Sequence, residues 1–406
     1  MARKHGSDKN EASAASPCFS LLARKHGSEA CISGSGPSRG PVPSLVSEAP
    51  QKLLKGTPSL SLRCGHGEST LPDADERVDS LASMIYGDFI MLSEDVAEIT
   101  SIIHPLRWLE GNKGTAELRD HLFSCGHVAN VTIIKDSEAV FPNTGLKGGL
   151  SWEVVDSSSA HDAATITELT PDGRLVSRTR HKIGPDMILL STDAAWSLFD
   201  KINKFAKGRH VRSIVYPAWS YGALQEPTED LIVDDDYDGG RALLRSGTGR
   251  FNRKPAWYRW DDGSLLNGND DKYVDPGSWK IFISVVYIDP PIGRKVFGNV
   301  ILGRPGDVAG RYIQVGSFST RGEAACCMNY MRTRFFRWCV TLRKIGTDVN
   351  VRSFDFVPMI DFRDPRLQRL TIDEMDAWLK DSLDLSADEV DEINRMIAPW
   401  RQSAAD

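Results

Sequence analysis

Several groups of side chains in this 406-residue chain have types and spacings that could do chemistry. The densest is the basic-aromatic run from Arg321 to Lys344. It carries Arg321, Arg332, Arg334, Arg337, Arg343 and Lys344 against one acid, Glu323, with Tyr330, Phe335, Phe336 and Trp338 interleaved. Basic groups at this density can follow a phosphate backbone and release its counterions. Arg334 and Arg337 can grip a phosphate or a guanine with two hydrogen bonds, which Lys344 cannot. The competing reading pairs these cations with the acidic 229–238 stretch or with acidic C-terminal helices. The aromatics, at helical spacing, are expected to pack inward.

Trp219-Ser-Tyr221 and Trp257-Tyr258-Arg259-Trp260 read as loop aromatics, able to stack on bases, wedge a groove, or simply anchor their loops. Two Cys-Gly-His triplets, Cys64/His66 and Cys125/His127, match no strong zinc spacing, and no metal is expected. Asp234–Asp236 lacks the Glu-x-Lys companion of a nuclease site and reads as a solvated acidic loop.

The stretch from Ile99 to Asp156 adds a pattern in order. Ile102-Ile-His-Pro105 precedes Arg107-Trp108. Leu118-Arg119 and Leu122 follow, then Val140-Phe141-Pro142 and Lys147-Gly-Gly149. On these pieces the chain resembles the downstream half of adenine-specific DNA methyltransferases of type II restriction–modification systems, including the type IIG fusions. Further on, 275–284, Thr333–Arg337, Leu342-Arg-Lys344, Phe354–Pro358 and the ending 385–399 resemble the target-recognition region and terminal helix of that family. The resemblance implies that Phe141 stacks on an adenine turned out of the duplex, replacing stacking energy that the flipped base has lost. It offers Arg107 and Lys147 as phosphate contacts. It implies S-adenosylmethionine as the family's cofactor and double-stranded DNA as the partner.

Family members also need a glycine-rich cofactor loop and an Asn/Asp-Pro-Pro-Tyr/Phe tetrapeptide upstream of Ile99. Residues 1–98 contain neither. Downstream, Gly247-Thr-Gly249 before Phe251, and Asp289-Pro-Pro-Ile292, imitate the two. Ile292 stands where an aromatic is required, so this segment is expected to be a turn. The chain alone is therefore not expected to bind S-adenosylmethionine or transfer methyl groups.

These residues need elements to hold them. Residues 1–75 read as a disordered, low-complexity arm, Ser/Gly/Pro-rich from Ser33 to Pro50, with Ala2-Arg-Lys-His-Gly-Ser7 repeated at 23–28. Residues 76–160 read as the last part of a methyltransferase-like α/β domain. Its expected elements are a helix over 79–96, strands over 98–103, 128–134 and 148–156, and a helix over 115–123. Residues 161–370 read as a mixed target-recognition domain. Strands are expected at 164–169, 279–286 and 312–315, helices at 192–205 and, unbroken, 321–342, and loops over 237–276. Residues 371–406 read as two acidic helices, opened by capping boxes at Thr371/Glu374 and Ser386/Glu389. The fold class is thus α/β plus α+β: a partial Rossmann-like sheet, then a mixed domain and C-terminal helices.

A net charge of −6 excludes a uniformly basic coat, though not a local basic face. No apolar run reaches the ~20 residues of a membrane span. The N-terminus lacks the apolar core of a secretory signal, and an odd count of seven cysteines points to a reducing, cytoplasmic setting. Three readings stay open: a truncated or split methyltransferase half that binds DNA, with a partner chain supplying the other half; a complete enzyme with divergent motifs; and a protein-interaction module unrelated to DNA.

Overall fold

The computed structural model describes residues 20–25, 28–33, 86–110, 115–142, 148–170, 173–184, 188–218, 220–221, 231–245, 255–260, 276–289 and 293–400. The largest sheet among the described residues is formed by β1 (Ser20–Lys25), β2 (Ser28–Ser33), β3 (Ile99–Pro105), β4 (Val128–Ile134), β5 (Leu150–Asp156), β6 (Ala164–Leu169) and β7 (Leu175–His181), in the order β2-β1-β3-β5-β4-β6-β7. Only β4 and β6 pair in parallel; the other five pairings are antiparallel. β3 and β4 therefore run the same way, with β5 inserted against the direction of both. The helix α2 (Ala116–Ser124) joins β3 to β4. β4 and β6 match their expected bounds. β1 and β2 fall inside the stretch read as a disordered arm; the rest of that arm lies outside the described residues.

The sheet's two faces differ. Ile102 and His104 of β3, Val131 and Ile133 of β4, Val155 of β5 and Ile166 of β6 are buried on one face. On this side Tyr86 of α1 (Tyr86–Val96) stacks on His104, and His181 stacks on Trp196 of α4 (Asp193–Ala206). α4 opens on Thr192, whose hydroxyl accepts from the Ala195 N–H, and its Trp196, Phe199 and Ile202 form the inward stripe.

The core continues into a second sheet, β13-β12-β15-β8, formed by β8 (Val215–Tyr216), β12 (Trp279–Ser284), β13 (Val300–Gly303) and β15 (Tyr312–Phe318). Ile281, Phe282 and Ile283 are all fully buried, because β12 is covered on both sides. The isoleucines enter the main core. Phe282 enters a smaller one beneath the third sheet, formed by β9 (Ile232–Val233), β10 (Arg241–Arg245), β11 (Pro255–Arg259) and β14 (Val308–Ala309). β10 and β11 correct the expectation of loops across 237–276. Their Gly- and Asp-rich surroundings hide two short apolar runs, Ala242–Leu244 and Trp257-Tyr258.

The expected single helix over 321–342 is two. α5 (Arg321–Arg332) ends and α6 (Arg334–Thr341) begins at Thr333, which has the extended backbone φ −60°, ψ 153°. The Thr333 hydroxyl donates to the Tyr330 carbonyl at 2.7 Å and accepts from the Phe336 N–H at 3.1 Å, so one side chain closes one helix and opens the next. α7 (Ile372–Ser382) and α8 (Ala387–Met396) carry both expected capping boxes. No helix among the described residues is long and apolar enough to cross a membrane.

A candidate binding cleft below the Phe141 loop

Phe141 lies in the connection between β4 and β5, inside the hairpin, where sequence reading placed this loop before it. It follows the one-turn helix α3 (Ser137–Val140), and its N–H donates to the Ser137 carbonyl at 2.8 Å. The ring is half-buried. Lys147, in the same connection, lies outside the described residues. The far end of the connection is fixed by glycine. Gly149 has φ +83°, and a Cβ there would meet the Ile134 carbonyl oxygen at 2.8 Å and the Lys135 Cα at 3.1 Å. Its own carbonyl accepts from the Leu106 N–H at 3.0 Å, tying the loop to the turn after β3. Neither a left-handed L-residue nor a backbone clash is cheap. Gly149→Ala is therefore expected to lose about 2 kcal/mol of stability by denaturant titration; a loss near zero would show that the loop base is free to move.

Beneath both ends of this loop is a cleft of about 270 Å³. Asp136, Ser137, Glu138 and Gly148 line its loop side; Ile288, Asp289, Trp338, Ile345, Arg395 and Met396 line the other. Phe141 is three residues beyond Glu138 and is not itself part of the lining. Two buried ion clusters shape the walls. In the first, Lys135 Nζ lies 3.0 Å from Glu168, and Glu168 also accepts from the Ser191 hydroxyl at 2.8 Å and faces Arg395 at 3.8 Å. Burial pulls the Lys135 ammonium below its ordinary range. Burial alone would raise Glu168, but Lys135, Ser191 and Arg395 outweigh it and hold the carboxyl low.

In the second cluster, Asp289 faces Lys344 at 3.2 Å and Arg294 at 3.5 Å, and accepts from the N–H groups of Lys295 and Val296. The Asp289-Pro-Pro-Ile292 imitation of a catalytic tetrapeptide thus begins with a structural counter-ion; residues 290–292, and 247–251 of the cofactor-loop imitation, lie outside the described residues. The walls offer paired cations and carboxylates around an apolar base. A space just under the ~300 Å³ at the small end of ligand pockets takes one heterocycle.

The structure does not bring the basic run to the surface. Arg337 and Lys344 are fully buried and Arg332 nearly so. Arg332 donates to the Val300 carbonyl at 3.1 Å, and Arg337 donates to the Ala398 carbonyl at 2.8 Å. Lys344 donates to the Tyr287 and Gly346 carbonyls, both at 3.1 Å. Arg343 lies over the Phe356 ring at 4.9 Å and 3.4 Å from Asp355. Arg334 is half-exposed and donates to Asn394 on α8. These side chains fasten the C-terminal unit together, so the expected DNA-facing row is corrected for Arg332, Arg337 and Lys344.

Tyr221 is also interior: its hydroxyl donates to Gln314, and its ring belongs to the smaller core, which corrects the reading of an exposed stacking residue. Trp219 lies outside the described residues. Arg107 is half-buried on the 3-10 turn Leu106–Glu110, beside Tyr86. That turn is held by Trp108, which donates to the Ser151 hydroxyl at 2.9 Å, next to the buried His104–Glu153 pair at 2.5 Å.

Sequence reading missed Lys135, Glu168, Arg294 and Arg395. Lys135 follows β4, Glu168 and Arg395 lie near the ends of β6 and α8, and Arg294 lies in the connection between β12 and β13; nothing local marks any of them as a wall residue. Among the described residues no group of three or more His, Cys, Asp or Glu side chains could hold a metal ion. The exposed run Asp234–Asp236 fits the solvated loop expected of it; Asp235 accepts from Arg241 at 2.9 Å through its carbonyl.

Neither a family model nor a curated protein matches the sequence. Among solved structures, the chain is similar to the type IIG restriction endonuclease BpuSI, with 11% sequence identity and a TM-score of 0.28. The similarity covers 71% of this chain but only 44% of that enzyme, so the chain spans less than half the length of the protein it matches.

Proposed function

We propose that this chain is the DNA-binding, target-recognition part of an adenine-specific methyltransferase of a type II restriction–modification system, and that it does not transfer methyl groups alone. On this reading β3, α2, β4 and β5 are the last elements of the methyltransferase sheet, and 161–370 is the recognition domain. The observation that carries it is the Phe141 loop: a connection pinned by Gly149, bearing a half-buried aromatic, above a cleft sized for one heterocycle. An extruded adenine would exchange its lost stacking for the Phe141 ring and enter the polar walls below. Arg107 and Lys147 would take flanking phosphates, with Arg334, Arg343 and Trp219 as further contacts. S-adenosylmethionine and the amino-group acceptors would come from a partner chain. α1 leaves Phe89, Leu92 and Val96 exposed at three- and four-residue spacing, an apolar stripe such a half could cover.

Phe141→Ala is expected to weaken base extrusion by about 1–3 kcal/mol, read with a fluorescent adenine analogue in a duplex bound to the reconstituted complex. An unchanged signal would remove Phe141 from the role. Calorimetry on the lone chain tests the rest: clear binding of S-adenosylmethionine favours a complete enzyme, and no binding of duplex at low salt leaves only the protein-interaction reading.

A further inference from the structure

We propose that the second face of the seven-stranded sheet, with β7 as its basic edge, binds single-stranded DNA. Strand register places its side chains in rows. One row crosses Ser101, Val154, Asn130, Thr165 and Arg180; the next crosses Ile103, Trp152, Thr132, Thr167 and Arg178. α1, α2 and α4 pack on the opposite face. Here Asn130 is exposed, Ser101, Ile103, Thr132, Trp152, Val154 and Thr165 are half-exposed, and Thr167 is buried. Antiparallel sheets tolerate one wet face, but a wet face need not carry an aromatic at its centre. Trp152 donates to the Ser101 hydroxyl at 2.6 Å on the neighbouring strand, which holds the indole laterally along the sheet.

The edge supplies the charge. Arg178 and Arg180 are exposed on this face, and Lys182 follows, also exposed. Same-face residues on a strand stand ~6.8 Å apart, and Trp152 lies three strand spacings, ~14 Å, inside the edge. The acids nearby are Asp162, itself exposed and 3.2 Å from Arg180, and Asp156, 3.7 Å from His161. Charged residues on an edge strand guard against aggregation, which would account for β7 alone. It does not account for hydroxyl and amide groups leading inward to an indole. A cationic rail beside an aromatic platform is what an unpaired strand needs: phosphates on the rail, a base on the ring, and polar groups between. A duplex would keep its bases from Trp152. The proposal is independent of the base-extrusion reading.

The test is fluorescence anisotropy of the full chain with an end-labelled DNA strand of about 20 nucleotides, longer than one typical binding site. Arg178→Glu/Arg180→Glu is expected to weaken binding at least tenfold and to make the log–log salt slope shallower by about 1.4, from ~0.7 per lost phosphate contact. Trp152→Ala should weaken binding several-fold and Trp152→Phe much less, with melting curves confirming that each variant folds. Arg363→Glu/Arg369→Glu, an equal charge change on an exposed segment elsewhere, should leave binding near wild type. The proposal is overturned if the two double variants lose equally, if Trp152→Ala binds as wild type, or if the wild-type chain does not bind the single strand.

Discussion

Replacing Arg337 by alanine is expected to unfold the C-terminal unit before it changes DNA affinity. The side chain is fully buried where α5, α6 and the chain end meet. Its Nε donates to the carbonyls of Arg332 at 3.2 Å and Thr333 at 3.1 Å, at the break between α5 and α6. Its guanidinium also lies 5.4 Å from the centre of the Trp400 ring, as does that of Arg332. Burial depresses the Arg337 guanidinium to about 10; nearby Asp376 opposes the shift while accepting the N–H groups of Arg334 and Phe335. Alanine would leave three carbonyls without this donor and open a hole beside Trp400. The expected loss is about 3–5 kcal/mol, the usual scale for breaking a buried charged network. Arg337→Met fills the hole without the hydrogen bonds and should lose about 1–3 kcal/mol. Arg334→Ala, half-exposed, should stay within about 1 kcal/mol of wild type. Denaturant midpoints rank the three, and DNA affinity is measured under conditions where each is folded. An Arg337→Ala chain that melts like wild type yet loses DNA binding would return this residue to the DNA surface.

The arginines show why part of the molecule could not be read from its sequence. Regular elements follow local rules, and those rules worked: alternation gave β4 and β6, and Ser/Thr-x-x-Glu gave the starts of α7 and α8. Gly148-Gly149 marked a turn by residue type alone, although the backbone that bars a side chain at Gly149 belongs to Ile134 and Lys135, at the end of the preceding strand. The partners of Arg332, Arg337 and Lys344 include backbone carbonyls of residues 300, 398 and 287, remote in sequence. A run of cations looks the same on a solvated face and on an interior held by carbonyl groups. The break at Thr333 was hidden for a related reason. The apolar spacing runs on through Tyr330 and Phe335, and a threonine in a helix interior is common enough to pass. The cleft was invisible because its walls come from β4, β6, α6 and α8 together with Ile288, Asp289 and Arg294, which only the tertiary fold assembles.

Lys344 gives the second large effect, and its sign is set by burial. The ammonium is fully enclosed, and desolvation, with help from Arg294, pushes it down to about 8, against the pull of Asp289 and Glu110. Between pH 8 and 10.5 the unfolded chain still holds this proton and the folded chain has released it. Stability linked to Lys344 therefore rises with pH across that window, by about 3 kcal/mol, and is flat below it, where both states are protonated. Lys344→Met lacks the titration. It also leaves Asp289 with Arg294 and two backbone N–H groups, so it is expected to be less stable by about 2–3 kcal/mol at pH 7. The gap between wild type and Lys344→Met should then widen from pH 8 to 10.5. Tyr287, whose hydroxyl burial and Asp289 push upward, titrates in both proteins and cancels in the difference. Lys344→Arg, charged throughout, should show no rise. Urea titrations at stepped pH read all three curves. A constant gap would mean that Lys344 keeps its proton and that the Asp289 cluster under the cleft is held by charge at every pH a cell reaches.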